Sequence, residues 1–211
     1  MSSEPRPLRK DAERNRRRVL DAAQHLFAEH GLDVTLEEIA REAGVGVITL
    51  YRRFPNKEAL IGAVFERRLD DLCRLAEEAL AEPDSWTAFA TFLERSGSEH
   101  VIDRGMREVV LGGDAWRIQA KERLYPLVER LLARARADGA IRADLTVQDL
   151  PLIALSVATI AERTRHAGGR FWQRYQRLVI DGLRAPGAVP LETEPLTTHD
   201  LDVTVGAWAI P

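Results

Sequence analysis

Between Val47 and Lys57 the chain gathers side chains suited to one kind of chemistry: Val47, Ile48, Thr49, Tyr51, Arg52, Arg53 and, just past Pro55, Lys57. At about 100° per residue, Ile48 and Arg52 each lie about 200° from Leu50. If Leu50 and Phe54, four apart, face a core, Ile48 and Arg52 therefore point away from it. The outward set mixes branched apolar groups, a hydroxyl, a phenol and guanidinium groups. A DNA major groove asks for such a set: Arg can fork onto guanine, and Thr or an apolar group can meet a thymine methyl. Tyr51, Arg53 and Lys57 suit phosphate oxygens, which fix register without reading sequence.

Such a set has to be held by its neighbours. Thr35 is a good N-cap, and Glu38 three residues on completes a capping box. Leu36, Ile39, Ala40 and Ala43 follow at helical spacing. Gly44 stands where a helix must turn through positive φ, Val45 is the expected buried residue of the turn, and Pro55 stops the second helix. Two helices joined by a short Gly-containing turn form a helix-turn-helix. Two short helices alone are equally compatible with a solvated hairpin in an ordinary α protein.

The runs RRVLDAAQHLFAEHG, TLEEIAREAGV and TLYRRFPNKEAL, from Arg17 to Leu60, resemble the DNA-binding domain of TetR-type (tetracycline-repressor-like) bacterial regulators. The resemblance implies a ligand-responsive repressor that binds a palindromic operator as a homodimer. It also implies DNA contacts from Thr35, Val47, Ile48, Thr49, Tyr51, Arg52, Arg53 and Lys57. Where many relatives carry Ser and a polar or basic residue, this chain has Gly46, Val47 and Ile48, so base preference does not carry over. A helical small-molecule-binding protein without DNA function and a small α-helical enzyme remain as alternatives.

With 211 residues, 45% hydrophobic and 30% charged, the chain can form one small and one medium domain. The net charge of -3 is unevenly spread. Arg6, Arg9, Lys10, Arg14, Arg16, Arg17 and Arg18 crowd one end. No Lys or Arg follows Arg184, whereas Glu192, Glu194, Asp200 and Asp202 do. DNA binding needs local positive charge rather than a basic whole. No apolar run approaches the ~20 residues that cross a bilayer, and the N-terminus lacks the apolar region of a secretory signal. The single cysteine, Cys73, fits a reducing compartment. These features lead us to expect a cytoplasmic protein with no membrane partner.

The fold expected is all-α: a three-helix DNA-binding domain and a larger helical domain for ligand binding and dimerisation, about nine helices in all. The boundaries expected are a disordered basic arm at 1–11, the helix-turn-helix domain at 12–60, the larger domain at 61–184 and a mostly disordered acidic tail at 185–211. Helices are expected over about 11–30, 57–81 (capped by Asn56), 86–100, 106–111, 114–138, 146–166 (with Thr146 and Asp149 as a capping box) and 170–184. Pro126 should kink the helix that contains it.

No zinc-ligand spacing, nucleophile elbow or phosphate loop is present, so no cofactor, metal or catalytic residue is expected. Phe89, Phe92 and Trp116 could face a mostly apolar cavity between the helices at about 57–81, 86–100, 114–138 and 146–166, beside Leu124 and Leu127. Arg95, Glu99 and Arg123 would orient a ligand there. Aromatics at helical spacing are more often plain core. Dimerisation is expected through helices about 148–166 and 170–184, where Leu150 to Ala161, Phe171, Trp172, Tyr175, Leu178, Val179 and Leu183 exceed what one core can cover.

Overall fold

A computed structural model describes residues 6–97, 118–164, 166 and 171–207. Among them are nine α-helices: α1 Arg6–His30, α2 Leu36–Ala43, α3 Val47–Arg53, α4 Lys57–Leu80, α5 Ser85–Ser96, α6 Tyr125–Ala137, α7 Asp149–Thr164, α8 Phe171–Gly182 and α9 Thr198–Ala207. The only extended pairing among these residues is an isolated antiparallel bridge between Ile141 and Arg184. The helix expected at 106–111 and the start of the one expected at 114 lie outside the described residues.

The described chain forms two compact units that meet at Arg68 and Leu69, within α4. The first unit has its own core. Val19, Leu20, Ala23 and Phe27 from α1 meet Leu36, Ile39, Ala40 and Ala43 from α2, with Leu50, Phe54, Leu60 and Val64. Because Leu60 and Val64 are both buried there, this unit takes in more of α4 than a boundary at residue 60 allows. Asn56 caps α4, its Oδ1 accepting from Ala59 N at 2.9 Å. The helix α1 begins at Arg6 rather than near Asp11. Pro7 does not prevent this, because it falls in the first turn, where a missing N–H has no partner to lose.

The second unit packs Leu72, Leu75 and Ala76 of α4, Phe89 and Phe92 of α5, and Val128, Leu131 and Leu132 of α6 around one core. Asp84 caps α5, accepting from Thr87 N at 2.7 Å. The end of α4 is closed by Arg134, whose guanidinium donates to Leu80 O at 2.9 Å and to Ala79 O at 3.3 Å. The helix α5 stops at Ser96 rather than near His100. There Gln176 of α8, itself buried, donates from Nε2 to Leu93 O at 3.1 Å and Glu94 O at 3.3 Å. A side chain on Gly97 would put its Cβ 2.2 Å from that same Nε2.

Pro126 does not simply kink its helix. The residues before it, Ala120–Leu124, form a π turn, in which Tyr125 N donates to Ala120 O. Proline has no N–H and its ring crowds the carbonyl four residues back, and the wider five-residue step leaves room for it. At α7 the Asp149 carboxylate accepts from both Thr146 N (2.7 Å) and Thr146 Oγ1 (2.9 Å), so the expected pairing forms, with the helix itself starting at Asp149.

The tail corrects the expectation of disorder. Ala185 N bonds to Ala140 O at 3.1 Å. Arg142 donates to Val189 O at 3.0 Å, and Leu191 N to Asp144 Oδ2 at 2.9 Å. The helix α9 then opens on a capping box in which Thr197 N and Oγ1 donate to Asp200 Oδ2, and Asp200 N to Thr197 Oγ1. Its richness in Pro, Thr and Gly gives no sign of these bonds, in which Arg142 and Asp144 anchor the segment and Asp200 caps α9.

Candidate nucleic-acid interface

The turn between α2 and α3 is closed by its backbone. Gly44, at φ +60, ends α2. Val45 N reaches Ala40 O at 3.0 Å and Gly44 N reaches Arg41 O at 3.1 Å, the paired bonds that close a helix through a left-handed residue. Arg18 of α1 donates to Gly44 O at 3.1 Å. A Cβ on Gly44 would lie 2.5 Å from that Arg18 Nη2, so a side chain here would be strained by its positive φ and would also displace the Arg18 guanidinium. Val45 is partly buried against the first core.

At the other end of α2, Thr35 accepts from Glu38 N at 3.2 Å, while Thr35 N and Oγ1 both donate to Glu38 Oε2 at 2.8 Å. These bonds hold the Glu38 carboxyl below its ordinary range. Both donors of Thr35 are thus engaged within the cap.

Within α3, Leu50 and Phe54 are buried, and Ile48 on the opposite side is 79% exposed. Val47, Thr49, Tyr51, Arg52 and Arg53 are exposed and Lys57 is half-buried. Arg52 has no hydrogen-bond or ionic partner among the described residues. Arg53 Nη2 lies 3.9 Å from Glu13 Oε2 of α1. Tyr51 Oη donates to Glu37 Oε1 at 3.1 Å, and this bond, with the charge of Glu37, pushes the Tyr51 phenol above its ordinary value. The α3 residues named from sequence are therefore brought to one open face. Glu37 was not named, and Arg18 only as one of the basic residues near the N-terminus: their partners lie across a turn or on another helix, 14 and 26 positions away, where periodicity carries no signal.

The ligand candidates are not gathered in the same way. Phe89 and Phe92 are in the second core, with Leu127 packed against it. Arg95 is exposed and paired with Glu78 at 2.7 Å, and Arg123 is exposed and paired with Asp70. Long guanidinium side chains on a helix surface reach the nearest carboxylate sooner than an apolar interior. Trp116 and Glu99 lie outside the described residues. Trp86 carries Arg184 over its ring, 4.0 Å from the centroid. No group of three or more His, Cys, Asp or Glu among the described residues could hold a metal ion, and none of the described helices is long and apolar enough to cross a membrane.

Comparison with known proteins matches residues 19–64 to bacterial regulatory proteins of the tetR family, and residues 84–185 to the C-terminal domain of SbtR-like transcriptional regulators. Among solved structures, a TetR transcription regulatory protein from Mycobacterium vanbaalenii is 34% identical, with a TM-score of 0.60 over 84% of this chain and 99% of that one. A TetR transcriptional regulator from Streptomyces coelicolor is also 34% identical, with a TM-score of 0.60 over 81% of this chain and 98% of that one. An HTH-type transcriptional regulator of Staphylococcus aureus (strain USA300) is 44% identical over 64 residues, which is 30% of this chain and only 35% of that curated relative.

Proposed function

The chain belongs to the TetR family of bacterial regulatory proteins, and we propose that it is a cytoplasmic repressor that binds a palindromic operator as a homodimer and releases it on binding a small molecule. The observation that carries the DNA-binding reading is the open face of α3, where Ile48 and Arg52 stand outward on a helix whose other side is locked by Leu50 and Phe54. In this reading α3 enters a major groove. Arg52 forks onto a guanine, while Ile48, Val47 and Thr49 meet base edges and thymine methyls. Tyr51, Arg53 and Lys57 take phosphates. Arg53 exchanges Glu13 for a phosphate oxygen when it docks.

One seven-residue reading helix gains affinity when two half-sites about one DNA turn apart are bound at once. Phe171, Tyr175 and Leu178 support the pairing: they recur along one side of α8 and are 47%, 45% and 54% exposed. Repression is then occlusion of a promoter, relieved when a ligand favours the released conformation of the dimer. No residue is assigned a catalytic role. The test is a mobility-shift titration with the intergenic DNA upstream of the gene, in competition with unrelated duplex. A shift that resists unrelated competitor is expected; equal competition by both DNAs removes the operator reading.

A further inference from the structure

The helix α9 rests on the second unit through contacts that differ in kind. Gln148 Nε2 donates to Thr198 Oγ1 at 3.2 Å. Leu201 is 4% exposed. Lys121 Nζ donates to both carboxylate oxygens of Asp202, at 2.8 and 2.7 Å. Lys121 lies in the π turn that ends at Tyr125, a backbone irregularity often found where a helix serves a site. The Tyr125 phenol is pushed up by burial first and by the Asp202 carboxylate second, so ammonium, phenol and carboxylate share one neighbourhood. A charged donor beside a phenol, next to a buried leucine side chain, is a set of groups that suits a free organic acid.

We propose that α9 is a displaceable cover, and that Leu201 and Asp202 occupy a site on Lys121 and Tyr125 that takes an aliphatic carboxylic acid. The adjacent pair presents the two parts of such a ligand: Asp202 its carboxylate, Leu201 its hydrocarbon. Among the described side chains of α9 only Leu201 is buried, and Val203 is 57% exposed. The chain ahead of it is held separately, by Asp144 on Leu191 N. Exposed, irregular residues 192–195 follow, so the cover can lift from that point while the earlier anchor stays. The regulatory meaning of the site rests on the ligand-responsive reading above; its existence does not.

Amide hydrogen exchange over residues 198–204 of the full chain tests the site, with hexanoate as probe and 1-hexanol as the uncharged control. Hexanoate is expected to speed exchange in α9 and 1-hexanol to leave it unchanged. Asp202→Asn, which weakens the internal competitor, should bind hexanoate at least several-fold tighter, and Lys121→Met should abolish the response. Equal action of 1-hexanol, no tighter binding by Asp202→Asn, or no response in either protein overturns the site. DNA binding measured on the same samples separates the two readings. A chain that responds to hexanoate in this way but binds no duplex keeps the site and loses the repressor.

Discussion

The Tyr51 phenol donates to Glu37 Oε1 at 3.1 Å, tying the exposed face of α3 to the first turn of α2. In the proposed docking on DNA, the same bond places a carboxylate where a phosphate would have to approach. Glu37→Gln should keep an acceptor and remove the charge, tightening binding to any duplex by roughly 2–10-fold at low salt. Fluorescence anisotropy on operator and unrelated DNA checks this; weaker binding by Glu37→Gln would mean that the carboxylate itself contacts DNA. The pH dependence has a definite sign. A raised phenol pKa favours the protonated form, so its contribution to stability is complete below about pH 10. It is lost as pH rises through the higher folded value. Ultraviolet titration should show one late phenol disappear in Tyr51→Phe.

Arg52 and Lys57 should fail differently. Arg52→Ala is expected to cost about 1–3 kcal/mol on the operator and to relax preference at one base pair. Lys57→Ala should weaken all sequences alike and reduce the salt slope by about one. Binding isotherms at several salt concentrations distinguish the two, and unchanged isotherms for both variants would place the groove contact elsewhere.

Gly44→Ala forces a Cβ into a left-handed residue and against Arg18. The backbone term alone is about 1–2 kcal/mol, and displacing Arg18 from Gly44 O adds roughly 1 kcal/mol more. Thermal melting should show the loss. Combining Gly44→Ala with Arg18→Ala should cost less than the two single losses added together, because both disturb one contact. Strict additivity would show that the contact is not shared.

Dimerisation should depend on α8. Sedimentation should give twice the 23.7 kDa chain mass, and Leu178→Glu should return the single-chain mass and weaken operator binding. Leu178 is exposed in the single chain, so its replacement should leave the melting of the isolated chain nearly unchanged. A wild-type chain that sediments alone, with or without duplex, would end the twofold reading.

Asp144 ties the tail to the second unit. Arg142, first, and the Leu191 N–H hold its carboxyl well below the usual range. A depressed pKa means that the contact's contribution is present above the ordinary aspartate range of about 3.9. It is lost only as pH falls through the lower folded value. The Leu191 amide resonance should therefore keep its position from pH 7 down to about 4. Asp144→Asn should shift it at pH 7, and an identical wild-type shift at pH 5 would contradict the assignment.

Local rules were enough for much of the first unit. Thr35 with Glu38, Gly44 before the turn, Leu50 four before Phe54 and Pro55 after it are short-range signals, each with one physical meaning. They foretold the capped helix, the left-handed turn and the outward face of α3 because every partner lies within a few residues. The all-α class followed from the same periodicity.

Where partners are distant, sequence was silent. Lys121 meets Asp202 across 81 positions, and Arg142 reaches Val189 across 47. Nothing in a stretch rich in Pro, Thr and acidic residues announces that it will find those cations, so a tail read as mostly disordered carries a capped and docked helix. Pro126 announced a disturbance but not its form, because only the packing of the whole helix decides between a kink and a π turn. Phe89 and Phe92 could line a cavity or fill a core on sequence alone. Their surroundings of Leu72, Leu131 and Leu132 come from two other helices, α4 and α6, and only the fold brings those together.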